Sequence, residues 1–255
     1  MLNVENLGIG FSRYTGLLRQ EEMTRLSGVS FDLCEGEVLA VIGGSGAGKS
    51  LLAHALLGLL PPNATLRGTM SFRGRSMTPY PASLRGRRIA LMAQQVSHLD
   101  PLARLGAQTR WAARRTGAAK VPDLQTLGLG PETCRLYPGQ LSGGMARRAL
   151  FALAGVGQPD LLIADEPTAG LDPENRDRLL ALLQAHAHRG GAVILITHDL
   201  MPALPVADRV MILDEGHMCG FESSRDFKGD GMALTSPYAH ALWRALPENA
   251  FLTDA

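Results

Sequence analysis

The residues best suited to chemistry lie in a glycine-rich loop, GGSGAGKS, at residues 43–50. Gly43 is followed after four residues by Gly48, Lys49 and Ser50, which is the spacing of a phosphate-binding loop. Such a loop points backbone N–H groups at phosphate oxygens, while the lysine adds charge and the hydroxyl can ligate Mg²⁺. The pattern predicts a nucleoside triphosphate site, against the alternative of a chance Gly/Ser turn. The residues assigned to the nucleotide are Gly43, Gly44, Ser45, Gly46, Ala47, Gly48, Lys49, Ser50 and Leu51.

A second candidate site is the acidic pair Asp165 and Glu166, which follows the apolar run at residues 161–164. Neighbouring residues of a strand point to opposite faces, so the backbone must change direction if both acids are to reach one site. Asp165 is then expected to hold Mg²⁺ through water, and Glu166 to take a proton from an attacking water molecule. The competing interpretation is a solvated Asp-Glu pair before a turn at Pro167.

These residues need a framework of strands and helices. Residues 38–42 are predicted to form a strand and residues 49–60 a helix, so that the glycine loop connects the two. Further strands are predicted at residues 4–11, 27–32, 68–72, 88–92, 161–164 and 192–197, and a further helix at residues 173–189. Strands that alternate with helices imply a mostly parallel sheet covered on both faces.

Residues 102–154 differ in character from the segments on either side. This stretch is rich in Ala and Arg, has helical patterning and lacks clear strand signals. We therefore expect a helical lobe inserted into the α/β core.

The bulk composition bounds the class of function. A chain of 255 residues with 45% hydrophobic content can bury the core of a domain. A net charge of +1 and the lack of a long Lys/Arg block disfavour nucleic acid as a partner. Cys34, Cys134 and Cys219 are too scattered for a disulfide scaffold or a metal cluster, so a reduced, intracellular chain is expected. His54 interrupts the apolar run at residues 51–60, and we expect neither a membrane span nor export.

A third motif, LSGG at residues 141–144, precedes a helix that is expected to start near Met145. Ser142 is predicted to cap this helix, whose N-terminus and glycine amides present a positive dipole end to an anion. With the loop and the acidic pair, in this order along the chain, the motif resembles the signature of ATP-binding cassette (ABC) transporters. The resemblance covers nearly the whole chain. It implies that Ser142, Gly143 and Gly144 contact the γ-phosphate of an ATP molecule bound by the opposite subunit.

The resemblance also implies the fold class. We expect an α/β, P-loop NTPase cassette, with a mostly parallel sheet core, an antiparallel N-terminal β region and an inserted α-helical subdomain. Residues 1–255 are then one ABC domain. Its nucleotide-binding core is assigned to residues 1–96 and 156–232, its helical signature subdomain to residues 97–155, and a C-terminal tail to residues 233–255.

Roles for single residues follow from the same resemblance. Glu166 and His198 are the expected catalytic residues, with His198 placed to hydrogen-bond the γ-phosphate. Mg²⁺ is expected to be held by Ser50, Gln94 and Asp165. The expected cofactors are therefore ATP and Mg²⁺.

Three further positions are assigned by resemblance. Gln94 is expected to sense Mg²⁺ and to contact the membrane partner, although the adjacent Gln95 is an alternative. Asp172 resembles the acid of the loop that joins the two subunits' sites. Either Phe11 or Tyr14 could stack on the adenine, as an aromatic residue does in the family. Phe11 is favoured because its segment resembles the family's first strand.

Weaker signals indicate a branch of the family. Asp100, Pro101 and Leu102 are similar to a tripeptide of dipeptide, oligopeptide and nickel importers, and the segment at residues 236–247 resembles that branch's C-terminal segment. The chain ends without the longer cysteine-bearing extension of many peptide-type members, which leaves nickel or a metal–chelator complex open. Gly170 stands where Ala is common in the family.

The family implies an assembly. The expected partners are a second cassette, more often a different chain than an identical one in this branch, transmembrane permease subunits and, indirectly, an extracytoplasmic substrate-binding protein. The expected location is peripheral, on the cytoplasmic face of the inner membrane. Alternatives are a regulatory cassette with little turnover, which Glu166 and His198 disfavour, and a soluble ABC ATPase that acts on DNA or ribosomes. The latter would call for a coiled-coil insertion, a second cassette or a basic face, none of which the sequence contains.

Overall fold

The computed structural model describes residues 1–14, 20–246 and 249 of the chain. The chain divides into two compact units. The first unit comprises Met1–Cys34, Val38–Tyr80 and Thr197–Ala255, and the second comprises Glu35–Glu37 and Pro81–Ile196. Within the described ranges, none of the helices combines the length and apolar character that a membrane crossing requires.

The secondary structure alternates between strands and helices after the N-terminal region. The strands are β1 (Leu2–Tyr14), β2 (Gln20–Leu33), β3 (Val38–Ile42), β4 (Ala64–Phe72), β5 (Arg75–Ser76), β6 (Ile89–Met92), β7 (Leu161–Asp165), β8 (Ala192–Thr197), β9 (Arg209–Asp214) and β10 (His217–Ser223). The α-helices are α1 (Lys49–Leu56), α2 (Leu105–Thr116), α3 (Gly143–Gly155), α4 (Pro173–His188), α5 (Leu200–Ala203) and α6 (Pro237–Arg244). Short 3₁₀ helices lie at Val96–His98, Leu124–Leu127, Pro131–Arg135, Pro138–Gln140 and Ser224–Asp226. The strands predicted at residues 38–42 and 192–197 are confirmed with unchanged bounds.

The sheet of the first unit is antiparallel at its N-terminal side. Its strands are ordered β5-β4-β1-β2-β10-β9-β3. β1 pairs antiparallel with both β2 and β4, and its register shifts between Val4 and Gly10. β3 pairs in parallel with β9, with Leu39 opposite Arg209. The predicted antiparallel N-terminal region is thus confirmed, and β3 leads directly to the glycine loop.

The strands of the second unit are parallel, in the order β8-β7-β6. Ile89 of β6 lies opposite Leu161 of β7, and Asp165 of β7 lies opposite Ile196 of β8. The side chains at residues 161–164 are fully buried. Such a continuous apolar run is typical of a parallel strand buried on both faces, and it brings the acidic pair to the strand's carboxyl end.

The segment between β6 and β7 is helical. Residues 93–160 are all described, and they contain α2, α3 and 3₁₀ turns without a strand. The helical character predicted for residues 102–154 is therefore confirmed.

Helix α1 is shorter than predicted. It ends at Leu56, so the prediction of a helix over residues 49–60 is wrong at its C-terminal end. Gly58 adopts φ +61, which glycine reaches without steric cost, and a Cβ there would lie 2.3 Å from the ring of Tyr80. Pro61 follows shortly and cannot continue a helix.

Helix α4 carries a buried histidine near its C-terminal end. The Nε2 atom of His186 is buried and has no hydrogen-bond partner in the described part of the chain. Burial lowers the pKa of His186 below its ordinary 6.5, and the Arg189 guanidinium lowers it further. Two effects oppose this shift: a hydrogen bond to the backbone of Pro159, and the negative charge of the Asp160 carboxylate. The folded chain therefore favours the neutral imidazole.

This burial predicts a dependence of stability on pH. Below the ordinary pKa of 6.5 the unfolded chain takes up a proton that the folded chain resists, so acidification favours unfolding. One proton changes the free energy of unfolding by at most about 1.4 kcal/mol per pH unit. Urea unfolding from about pH 7 to about pH 5 should show a smaller loss of stability in His186→Gln than in the unmodified chain. Parallel pH profiles for the two proteins would contradict this role.

Candidate functional site

The glycine loop has a backbone conformation that requires glycine at two positions. Gly46 and Gly48 adopt φ +82 and φ +99. At Gly48 a Cβ would also lie 2.8 Å from Cδ1 of Leu26. Gly48 is the residue immediately before α1. The first backbone N–H groups of α1, which have no partner within the helix, therefore lie next to the loop.

Gly44 faces open space. It is exposed, its φ is not positive, and a Cβ built on it would meet no atom within 4 Å. Gly43, by contrast, would place a Cβ 2.3 Å from the carbonyl oxygen of Leu213 in β9. The loop is thus packed closely against β9 at Gly43 and leaves open space at Gly44, where an oxyanion can approach the backbone.

The ammonium group of Lys49 is held by the loop itself. Its Nζ donates to the carbonyl oxygens of Gly43 at 2.7 Å and Gly44 at 3.0 Å, and the residue is only 9% exposed. An ammonium has three N–H donors, so it can bind one further acceptor while it keeps both carbonyls. The adjacent Ser50 is exposed in the first turn of α1. This arrangement presents a charge and a hydroxyl at the loop.

The acidic pair lies where the backbone turns. Glu166 follows the last residue of β7 and adopts φ +46, which is rare for a residue other than glycine. Its N–H donates to the carbonyl oxygen of Ile196 at 2.9 Å, and its carbonyl oxygen accepts from the N–H of Ala169 at 3.3 Å. The change of backbone direction predicted after Asp165 is therefore confirmed. Strained backbone of this kind persists only where its surroundings hold it.

The LSGG segment starts helix α3. The Oγ of Ser142 accepts a hydrogen bond from the N–H of Met145 at 3.2 Å, which confirms the predicted N-cap. Ser142 and Gly143 are exposed, and a Cβ on Gly143 would meet no atom within 4 Å. Gly144 is buried, and a Cβ there would lie 2.6 Å from Oδ1 of Asn175. The N-terminus of α3 is thus open to an anion at Ser142 and Gly143.

Asp172 caps helix α4. Its carboxylate accepts from the backbone N–H of Asn175 at 3.0 Å and from the side-chain amide of Asn175 at 2.7 Å. Both hydrogen bonds lower the pKa of the exposed Asp172 carboxyl, and the one from the backbone N–H has the larger effect. Gly170, two residues earlier, has φ +73, a conformation that suits glycine better than alanine. The Asn175 Oδ1 accepts from Arg148, so the α4 terminus is linked to α3.

The two adjacent glutamines differ in their contacts. Gln94 follows β6 as an exposed residue, and its backbone carbonyl accepts a hydrogen bond from Arg147. The Oε1 of Gln95 accepts from the hydroxyl of Ser97 at 3.1 Å. Because the amide oxygen of Gln95 is used locally, these contacts favour Gln94 as the residue with a ligand-binding side chain.

The remaining predicted residues lie in the first unit. His198 is exposed and directly follows β8. The residues on either side of His198 are hydrogen-bonded to each other, since the hydroxyl of Thr197 accepts from the N–H of Asp199 at 3.1 Å. Phe11 is half-buried in β1, opposite Met23 of β2. The side chain of Tyr14 lies outside the described residues.

The predicted residues fall into two groups. The first unit holds Phe11, the residues at 43–51 and His198. The second unit holds Gln94, Ser142, Gly143, Gly144, Asp165, Glu166 and Asp172.

The sequence interpretation missed two arginines of α3, Arg147 and Arg148. Both are buried, and burial lowers the pKa of each guanidinium. Glu166 opposes this effect at Arg147, and Asp172 opposes it at Arg148. The available signal was an adjacent pair of cations that runs into the apolar stretch ALFALAG.

Known proteins match the chain over most of its length. The sequence model of the family described as ABC transporter matches residues 26–169, more than half of the chain. A second model, described as an AAA domain, matches residues 135–204.

Individual relatives extend this match. The chain is 31% identical to the oligopeptide transport ATP-binding protein OppD of Escherichia coli (strain K12), with 97% of this chain and 76% of OppD covered. It is 34% identical to the dipeptide transport ATP-binding protein DppD of Bacillus subtilis (strain 168), over 89% of this chain and 71% of DppD. A solved ATP binding subunit of an ABC transporter superposes with a TM-score of 0.74 at 26% identity, covering 95% of this chain and 98% of that one. The predicted cassette fold is confirmed, and the chain belongs to the ABC transporter family.

Proposed function

We propose that this chain is the ATP-hydrolysing subunit of a membrane importer for peptides. The observation that carries the proposal is the glycine loop, in which Lys49 donates to two loop carbonyls and Gly44 faces open space. Relatives that are peptide transport ATP-binding proteins support the peptide substrate. The named relatives do not favour the alternative substrates, nickel and a metal–chelator complex.

The loop residues have a defined task in this proposal. The backbone N–H groups of the loop and the N-terminus of α1 bind the β- and γ-phosphates, and Lys49 neutralises part of their charge. Phe11 stacks on the adenine, and His198 hydrogen-bonds the γ-phosphate. Gly44 leaves the backbone accessible to a phosphate oxygen.

Mg²⁺ fits the donors that this chain supplies. Ser50, Gln94 and Asp165 contribute hydroxyl, amide and carboxylate oxygens, which are the hard ligands that Mg²⁺ prefers alongside water and phosphate. We assign these three residues to hold the ion, directly or through water. When bound, Mg²⁺ neutralises charge on the β- and γ-phosphates.

Glu166 acts as the general base. It orients a water molecule, and as the water oxygen bonds to the γ-phosphorus the carboxylate accepts the water's proton while ADP departs. The φ of +46 at Glu166 supports this role, because such strain is found where a side chain is aimed at a functional site.

A complete site needs two cassettes. In our proposal the N-terminus of α3, with Ser142, Gly143 and Gly144, closes on the γ-phosphate held by the partner's loop, and Asp172 lies in the segment that joins the two sites. The exposure of Ser142 and Gly143 at the N-terminus of α3 supports this arrangement. The partner cassette is proposed to be a different chain.

A groove in the helical subdomain, residues 97–155, is the proposed contact with the permease. It has a volume of about 480 Å³, and its rim carries Leu102, 88% exposed, and Trp111, 51% exposed. The side chain of Gln108 holds the loop that presents Leu102, since it bonds the backbone of Asp100 and Ala103. The core would comprise residues 1–96 and 156–232, with the tail at residues 233–255.

Docking there would place the chain peripherally on the cytoplasmic face of the inner membrane. A substrate-binding protein on the other side would then act through the permease. ATP-driven closure of the cassettes would change the access of the membrane subunits.

The test uses the intact complex, purified with its membrane subunits, identified by mass spectrometry and reconstituted in liposomes. We expect ATP hydrolysis to increase when peptides and the binding protein are added, and not when Ni²⁺ replaces the peptides. Stimulation by Ni²⁺ alone, or no hydrolysis by the reconstituted complex, would contradict the proposal.

A further inference from the structure

Arg147 connects two loops of the second unit. Its Nη1 donates to the backbone carbonyl of Gln94, and its Nη2 donates to the carbonyl of Ala169 at 3.3 Å. The residue lies in the second turn of α3 and is only 9% exposed. One buried guanidinium therefore ties α3 to the segment after β6 and to the turn after β7.

The turn after β7 is the one that carries Glu166. The N–H of Ala169 donates to the carbonyl of Glu166, so residues 166–169 form one hydrogen-bonded turn. Arg147 holds the carbonyl at the far end of this turn, while Glu166 begins it with a strained backbone. Strain of this kind persists only where surrounding contacts hold it. The hydrogen bond from Arg147 to the carbonyl of Ala169 therefore helps to fix the direction of the Glu166 side chain.

Charge strengthens the same connection. Glu166, like Arg147, is 9% exposed, and its carboxylate offsets part of the effect of burial on the pKa of Arg147. A buried guanidinium costs free energy unless it is paired and hydrogen-bonded. Its planar fork also bonds two acceptors in a fixed relative geometry, which a flexible ammonium does not do.

We propose that Arg147 is a positioning residue for ATP hydrolysis, which fixes Glu166 relative to the Gln94 loop. This inference rests on the proposed function, because it assumes that Glu166 is the general base. In this proposal Arg147 is not a ligand of the nucleotide. It acts through the turn at residues 166–169 and through the backbone of Gln94.

The test compares Arg147→Met with Arg147→Lys in the reconstituted complex. Misplacement of a catalytic group by about 1 Å can cost about 100-fold in rate. We therefore expect Arg147→Met to lower kcat by about 10- to 100-fold with little change in the dissociation constant for ATP. Arg147→Lys retains the charge and can still donate N–H hydrogen bonds from its ammonium, but it lacks the planar fork, so it should recover part of the lost kcat. If Arg147→Met fails to fold, Arg147→Gln provides the same comparison.

Ala149→Gly is the matched control. Ala149 is fully buried in the same helix, and glycine there weakens α3 while the guanidinium stays in place. We expect this control to lower the melting temperature and to keep kcat. Two results would show that Arg147 is only structural. One is an unchanged kcat in Arg147→Met. The other is an equal fall of kcat in Ala149→Gly and Arg147→Met when the two variants lose the same melting temperature. Glu166→Gln separates the two hypotheses: if that variant is inactive while Arg147→Met is fully active, only this inference fails.

Discussion

Replacing Glu166 with Gln is expected to lower ATP hydrolysis by about two to four orders of magnitude, the usual contribution of a general base. The amide has the size of the carboxylate but cannot accept a proton from water. ATP binding should remain nearly intact, because in our proposal the loop at residues 43–50, and not Glu166, holds the phosphates. Steady-state hydrolysis and a calorimetric titration with ATP on the same preparation measure the two effects separately.

The matched control for this variant is Glu132→Gln, which removes an exposed acid outside the predicted site. We expect the control to hydrolyse ATP at the unmodified rate. Turnover by Glu166→Gln that equals that of the control would exclude Glu166 as the base.

The second large effect is expected for Lys49→Ala, which should weaken ATP binding by about 10- to 150-fold. A hydrogen bond to a charged group contributes about 1.5–3 kcal/mol, and loss of that amount changes affinity by this factor. The variant also removes the donor that joins the carbonyls of Gly43 and Gly44, so the loop loses part of its own support.

Calorimetric titration of ATP into Lys49→Ala measures this effect. Lys120→Ala is the control, because Lys120 is an exposed lysine outside the loop and its loss should leave affinity unchanged. Equal affinities in the two variants would count against the assignment of the loop to phosphate binding.

The sequence predicts the buried strands better than the N-terminal ones, for a physical reason. β3 and β8 are apolar runs bounded by turn residues, and their bounds are as predicted. β2 begins earlier than the predicted strand at residues 27–32. The prediction missed the early part of β2 because that part contains exposed polar residues such as Glu22 and Thr24. Periodicity carries little information for strands whose side chains face water.

The site divides in a similar way. Spacing and order along the chain identify the glycine loop, the acidic pair and the N-cap Ser142, because these features are local in sequence. Arg147 was missed because its partners, Gln94 and Ala169, lie far from it along the chain. Nor does sequence separate Gln94 from Gln95, since the distinction lies in a hydrogen bond from Ser97.

The most direct test of the two-cassette site is a structure of the complex trapped with ATP and Mg²⁺, prepared with Glu166→Gln to prevent turnover. We expect one triphosphate on the loop of this chain, with its γ-phosphate about 3 Å from donors of the partner cassette's signature helix. At the other site, the hydroxyl of Ser142 and the N–H groups of Gly143 and Gly144 should contact the partner's nucleotide. A trapped complex in which Ser142 points away from any triphosphate would contradict the proposed mechanism.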